Sequence, residues 1–432
     1  MRLSVATFNV FKAEILVTIV TFITSFLIAK KLGLVALGIW SILRLINSYL
    51  ECFGRLRTEA ALIYFIGNKK YKQNEVFFAV IFINLLFLGF LYLFSYFNFE
   101  NIYMLFFKNT YQDFRLELKL VIISLIFQFF LNTFISIFPA LNNINKYNKI
   151  YILNSLITLI LSSICLLFTS FGVLGLCIIY IISPLICLIY SYKLIPLRFL
   201  KNYKVNYSAV KDISIYSVQF YLGSIFQELQ QSGSKLIAAS ILNPVSIAFI
   251  DQGQKFTMIL QKTIAPFQVT LLPVISSSNK KKAIETLVLV IRLYSLTLIL
   301  CSIILYILIK PIILNLYGIE FSAIINVVYI LIPSIFFKNI SFLIACFYSG
   351  IGKPIKNTYM QIISLFVQIF LTFFLIERLG FYGVAIAILF SSVIYGVVFI
   401  IYFLKSNRIN FKKLIPKISD YYQILSILKS LN

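Results

Sequence analysis

The sequence predicts an all-α fold: a polytopic membrane protein of about 12 transmembrane helices in two six-helix bundles. The bundles are expected to be related by a pseudo-two-fold axis along the membrane normal. Three observations lead there: an extreme apolar composition, positive charge that alternates from one connecting segment to the next, and a repeat at a spacing of 208 residues.

Of 432 residues, 61% are hydrophobic and only 12% are charged. Mean hydropathy is +0.96. A soluble domain is nearer half apolar and a quarter charged. A spanning helix needs roughly 20 apolar residues, so the composition supplies about a dozen. Twelve apolar segments can be read at about 8–29, 34–66, 75–97, 117–141, 150–169, 172–193, 213–240, 244–275, 286–309, 322–349, 356–376 and 381–404. Segments 34–66 and 244–275 are long and are expected to bend or to extend beyond the bilayer. Apolar and polar residues do not alternate, so a β-barrel is not supported. Backbone polar groups in lipid must be satisfied internally, which leaves helices.

The net charge of +24 could signal nucleic acid, but its distribution points elsewhere. With the N-terminus in the cytoplasm, the inner segments hold 22 basic residues. They are Arg2, Lys69, Lys70, Lys72, Lys146, Lys149, Lys193, Arg198, Lys201, Lys204 and Lys211, then Lys280, Lys281, Lys282, Lys353 and Lys356, and the tail residues Lys405, Arg408, Lys412, Lys413, Lys417 and Lys429. The outer segments hold six: Lys30, Lys31, Lys108, Arg115, Lys310 and Arg378. This is the positive-inside pattern. It places both termini in the cytoplasm and gives nucleic acid no role. The first apolar run ends in Ala29-Lys30-Lys31 without a small-residue cleavage site, so it is expected to be a true span.

Several function classes drop out. The chain has no histidine, which removes His-dependent triads, metal sites and proton relays. Its six cysteines form no CxxC pair, so neither a metal cluster nor a disulfide frame is signalled. No GxxxxGK[ST] loop is present, so ATP is not expected as the direct energy source. No cofactor is expected.

The repeat rests on Gly172 and Gly175 at the start of the sixth span and Gly380 and Gly383 at the start of the twelfth. Both pairs are 208 apart. Asn145-Lys146 leads into the fifth span as Gly352-Lys353 leads into the eleventh. The expected organisation is therefore an N-terminal bundle 1–196, a cytoplasmic linker 197–212, a C-terminal bundle 213–404 and a basic cytoplasmic tail 405–432. Six spans repeated from the same side make a parallel repeat, and such pairs rock around a central site.

Ten basic residues fall within or at the edges of spans, against five acids. Lys12, Arg57 and Lys119 lie near span ends and are read as snorkelling. Lys338 is mid-span. A charge at the bilayer centre costs roughly 2.5–3.5 kcal/mol even on lenient scales, so a shared wet cavity is expected. At about 100° per residue, Arg44, Glu51, Arg55 and Glu59 fall within about 80° on the second span. Asp251, Lys255 and Lys262 fall within about 40° on the eighth. Glu228 and Lys235 share a face of the seventh span with Tyr221, Ser224, Gln231 and Ser232, and Glu14, Thr18, Thr21 and Ser25 line the first. A cationic cavity suits an anionic passenger, such as a phosphate-linked lipid with a polar head. Arg55, Lys235, Lys255 and Lys262 are expected to hold the phosphates, with Arg44 and Arg292 as lesser candidates. Glu14, Glu51, Glu59, Glu228 and Asp251 are expected to balance them or to couple transport to H⁺ or Na⁺.

The two-times-six layout, the GxxG openings of spans six and twelve, and the run 247–276 ending Pro273-Val274-Ile275-Ser276 resemble the Wzx-type O-antigen and polysaccharide flippases. These belong to the multidrug/oligosaccharidyl-lipid/polysaccharide (MOP) exporter superfamily. The resemblance implies a bacterial inner-membrane protein. Its substrate would be undecaprenyl-pyrophosphate-linked oligosaccharide, turned from the cytoplasmic to the periplasmic leaflet. Glycan polymerase and chain-length machinery would be partners besides membrane lipids. Arg55-Leu56-Arg57-Thr58-Glu59 is similar to the basic residue and Glu of the second span in lipid II flippases, which implies Arg55 as a pyrophosphate contact. The chain departs from many relatives at Ser232-Gly233-Ser234-Lys235, where they carry an acid, and it lacks the two further helices of lipid II flippases. Two alternatives stay open: a multidrug or toxin exporter of the same fold, whose cationic passengers a basic interior repels, and a polytopic glycan polymerase or ligase.

Overall fold

The computed structural model describes residues 3–416 except 109, 111, 142, 197, 198, 200–204, 265, 266, 268–270, 272, 273, 276, 277 and 354, with side chains from Lys12 onward. Arg2, Arg198, Lys201, Lys204, Lys417, Lys429, Pro273 and Ser276 of the sequence reading lie outside the described residues.

All regular structure among the described residues is helical. Among the described residues twelve α-helices follow one another: α1 (Leu3–Gly54), α2 (Thr58–Gly67), α3 (Gln73–Phe97), α4 (Phe99–Phe107), α5 (Arg115–Ala140), α6 (Ile144–Phe168), α7 (Gly172–Leu194), α8 (Tyr207–Ile241), α9 (Pro244–Lys262), α10 (Lys280–Ile312), α11 (Ala323–Gly350) and α12 (Ile355–Asn407). They do not map one-to-one onto the twelve apolar segments. α1 carries the first segment and most of the second, broken at Gly33 (φ 77°, ψ −176°). α12 carries the eleventh and twelfth, broken at Gly380 (φ 55°, ψ −133°). The second segment bends as its length requires: α1 stops at Gly54 and α2 restarts at Thr58. α4 is a short additional helix of nine residues.

Eight helices are long and apolar enough to cross a membrane, and the chain is a multi-pass membrane protein. α8 and α9 are not among the eight. Their Gln, Ser, Glu, Asp and Lys residues dilute the apolar face. That dilution is the first structural sign of where polar work is done.

The chain falls into two compact units, residues 1–248 and 249–432. In the first, α8 packs on α1, α2 and α3, while α6 and α7 pack on α1 and α5. A core of Leu62, Phe65, Phe77, Val80, Phe138 and Ile213 joins α2, α3, α5 and α8. Lipid is as apolar as these side chains, so close packing and buried hydrogen bonds hold such helices together. Asn84 on α3 is one such link: its amide donates to Thr133 Oγ1 on α5 at 2.8 Å, and its carbonyl accepts from Thr58 Oγ1 on α2 at 2.9 Å. In the second unit α10, α11 and α12 pack around Tyr294, Leu343, Phe347, Phe399 and Phe403. There Asn339 Nδ2 donates to Tyr294 Oη and, at 3.3 Å, to the Leu260 carbonyl.

The two repeat glycine pairs behave alike. Gly172 and Gly380 both hold φ at 55°. At Gly175 a Cβ would come within 2.3 Å of Cys165 Sγ, and at Gly383 within 2.3 Å of the Leu375 carbonyl oxygen. In each case the glycine lets a helix press on the span that precedes it.

Candidate functional site

The first cluster is built on the break between α1 and α2. Arg57 caps α2 in the left-handed region (φ 55°, ψ 35°). A side-chain-bearing residue there costs roughly 1 kcal/mol or more. Arg55 offsets this by clamping both sides of the break. Its Nη1 lies 2.8 Å from Glu51 Oε1 on α1, and its Nε lies 3.2 Å from Glu59 Oε1 on α2. The Arg55 side chain is only 11% exposed. Asn132 Nδ2 on α5 donates to the same Glu51 oxygen at 3.1 Å. One cation between two carboxylates leaves an excess of negative charge, which Arg57 at the break opposes. Arg57 makes no ion pair among the described residues, and it is half-buried.

α8 adds its polar face to the same part of α1. Ser48 Oγ donates to Glu228 Oε1 at 3.2 Å, Tyr221 Oη donates to the Phe53 carbonyl at 2.7 Å, and Cys52 Sγ sits 3.7 Å from the Ser224 carbonyl. Of the expected α8 stripe, Ser224 and Ser232 are buried and Lys235 is half-buried, while Gln231 is exposed. Glu14 on α1 lies within electrostatic reach of Tyr147 and Tyr151 on α6.

Arg44 stands two turns before Glu51 on α1, and both lie within electrostatic reach of Tyr180 on α7. Arg44 lines a cavity of about 210 Å³ between α1, α6 and α7. From α1 the walls are Thr21, Thr24 and Ser25, with Trp40 and Arg44 beyond the Gly33 break. α6 contributes Asn154, Ser155, Thr158 and Ser162. α7 contributes Tyr180, whose ring meets Trp40 edge-on at 5.5 Å and 87°. Arg44 has no ion pair among the described residues. The sequence reading placed Arg44 on one helical face with Glu51, Arg55 and Glu59, and it missed the α6 and α7 walls. A signal was present: Asn154, Ser155, Thr158 and Ser162 fall on one helical stripe inside an otherwise apolar segment.

In the second unit, Lys255 Nζ lies 2.8 Å from Asp251 Oδ2, one turn apart on α9, with both side chains nearly buried. Lys262 ends α9, and Arg292 lies in α10; both are half-buried. Two residues from Arg292, Tyr294 Oη shares a hydrogen bond with Thr263 Oγ1 at 2.9 Å, close to the end of α9.

Outside the apolar segments, the α2–α3 turn is strapped to the start of α8. Lys70 Nζ and Tyr71 Oη both donate to Asp212 Oδ2, the latter at 2.7 Å. Those two hydrogen bonds, Lys70 first, hold the Asp212 carboxyl below its ordinary value of 3.8. Asn206 Nδ2 donates to Glu75 Oε2 at 3.3 Å beside them. At α4, Arg115 forks onto Glu100 at 3.0 and 3.2 Å and lies over the Tyr103 ring.

Broken helices, polar groups concentrated on α1, α8 and α9, and charges buried among apolar helices define a multi-pass helical membrane protein. The fold is shared with the lipid II flippase MurJ in an inward closed conformation (TM-score 0.71, 18% identity, 95% of this chain and 89% of that one). It is shared with an inward-facing multidrug resistance MATE family transporter of the MOP superfamily (0.68, 15%, 89% and 93%). It is also shared with a variant of the Vibrio cholerae MATE transporter VcmN (0.66, 17%, 94% and 96%). No curated protein matches the sequence. The profile described as polysaccharide biosynthesis protein matches residues 7–279, and the chain belongs to that family.

Proposed function

We propose that the chain is a flippase for undecaprenyl-pyrophosphate-linked oligosaccharide. It turns an O-antigen, capsule or exopolysaccharide repeat unit from the cytoplasmic to the periplasmic leaflet of a bacterial inner membrane by alternating access. Both termini are cytoplasmic, and the spans form two six-helix halves. Membership of a polysaccharide biosynthesis family supports the passenger, and the likeness to a lipid II flippase supports the fold's capacity for a lipid-linked one.

The observation that carries the reading is the charge in the spans of residues 249–432. Lys255, Lys262, Arg292 and Lys338 outnumber the one acid, Asp251, in the apolar segments there; Glu285 and Glu377 fall at the segment edges. A pyrophosphate carries more than one negative charge and needs more than one cation, and a basic site repels the organic cations of a drug exporter. In residues 1–248, Arg55 is held by Glu51 and Glu59. A passing phosphate would compete with those carboxylates for the guanidinium, which makes the trio a switchable contact. Glu14, Glu51, Glu59, Glu228 and Asp251 are the groups at which H⁺ or Na⁺ coupling would act.

Deletion of the gene in its native host tests this. Loss of surface polymer, with intact oligosaccharide-lipid trapped on the cytoplasmic side, is expected. Precursor that reaches the periplasmic side as single units would instead indicate a polymerase. An unchanged glycan with altered drug sensitivity would indicate an exporter.

A further inference from the structure

The cavity between α1, α6 and α7 has a chemistry unlike that of a phosphate site. Arg44 is the one charged residue among those lining it. A half-buried guanidinium with no ion pair among the described residues can take an anion as its partner. One guanidinium forks onto one carboxylate, two N–H donors to two oxygens, and neutralises it. It leaves a pyrophosphate with net negative charge. The remaining polar wall is mostly hydroxyls, with the Asn154 side-chain amide among them. Thr21 Oγ1 donates to the Val17 carbonyl at 2.7 Å, Thr24 Oγ1 to the Val20 carbonyl at 2.9 Å, and Thr158 Oγ1 to the Asn154 carbonyl at 2.8 Å. Where the proton is given to the backbone, as at Thr21 and Thr24, the oxygen offers lone pairs to the cavity, and such acceptors suit a ligand rich in hydroxyl donors. Trp40 and Tyr180, set edge to face, supply apolar walls for the C–H face of a sugar ring. At about 210 Å³ the space is below the roughly 300–1,000 Å³ of sites that enclose drug-sized ligands. It fits one ring, not an oligosaccharide.

We propose that this cavity recognises one carboxylated sugar residue of the hexuronate class in the transported glycan, with Arg44 as the selecting residue. The proposal rests on the flippase reading for its biological setting, but the site has its own test.

Trp40 is the only tryptophan in the chain, so emission excited selectively from tryptophan, not from the tyrosines, reports on this cavity. The purified full-length protein in detergent would be titrated with glucuronate, glucose and pyrophosphate. A saturable change in Trp40 emission with glucuronate is expected, with glucose at least about tenfold weaker, the loss of one charge-assisted pair. Arg44→Gln should remove the glucuronate response, and Arg44→Lys, which keeps the charge without the fork, should retain part of it. Pyrophosphate acting at lower concentration than glucuronate would overturn the proposal. So would a response unaltered in Arg44→Gln, or no response in the wild-type protein. In proteoliposomes, Arg44→Gln should slow the flipping of a uronate-bearing glycan-lipid and spare a neutral one. Equal slowing of both would refute selection by Arg44. If the wild-type protein flips neither, the flippase reading fails while the fluorescence titration still decides what the cavity binds.

Discussion

Gly172 and Gly380, 208 positions apart, hold the same left-handed φ of 55°, each at the turn into an apolar helix. Three residues later, Gly175 and Gly383 each press within a Cβ's reach of the preceding span. A repeat first visible as letters is thus a repeat of backbone geometry, and it identifies positions where side chains are not tolerated.

Gly380→Ala is expected to destabilise by about 1–3 kcal/mol, because φ 55° with ψ −133° is open only to glycine. Gly89→Ala is the control: it sits in the helical part of α3 with nothing within 4 Å of a new Cβ. That change should be neutral or stabilising by about 0.5–1 kcal/mol. Thermal midpoints of the purified variants check both.

Removing Arg55 leaves Glu51 and Glu59 facing each other across the helix break without their cation. Arg55→Ala should destabilise by roughly 3–5 kcal/mol, the range for breaking a buried pair. Adding Glu59→Gln to Arg55→Ala should recover part of that loss, so the two effects will not add. Thermal melting of the two single variants and the double variant measures the coupling. If Arg55→Lys and Arg55→Ala both support full glycan export, the pyrophosphate role of Arg55 fails.

Arg57 is strained by its left-handed backbone, not by its contacts. Arg57→Gly should therefore be more stable than Arg57→Ala by about 1 kcal/mol, since only the glycine relieves φ 55°. Equal melting temperatures would show that the break carries no such strain.

The strap from Lys70 and Tyr71 to Asp212 has a defined pH dependence. The carboxyl is held below its ordinary value, so the strap's contribution is present above pH 3.8 and is lost as pH falls through the lower folded value. The distance between spin labels at Lys69→Cys and Lys211→Cys should hold from neutral pH down to 3.8 and spread only below it. In Asp212→Asn it should already be the longer distance at neutral pH and should not change as pH falls.

The all-α, multi-pass character was legible because lipid admits few solutions: long apolar runs have to be helices, and loop charge follows them. The bend of segment 34–66 was legible from length, but its place was not. Nothing in Gly54-Arg55-Leu56-Arg57 marks a break at 55–57 in preference to Gly67. Helical arithmetic within one segment could not show that Arg44 also lines a cavity with Tyr180 of α7. The links from Glu51 to Asn132 and from Ser48 to Glu228 connect residues 81 and 180 positions apart. Helical periodicity carries no information across such distances, so polar partners on other helices stayed hidden.

The most direct measurement is transport by the purified protein in proteoliposomes loaded with undecaprenyl-pyrophosphate-linked oligosaccharide, scored by access of a membrane-impermeant glycan-modifying enzyme to the outer leaflet. A flippase predicts that the protected half of the substrate becomes accessible with the protein present, and more slowly with Lys262→Gln and Arg292→Gln combined. Protection that persists unchanged, with the folded protein confirmed in the same vesicles, would contradict it.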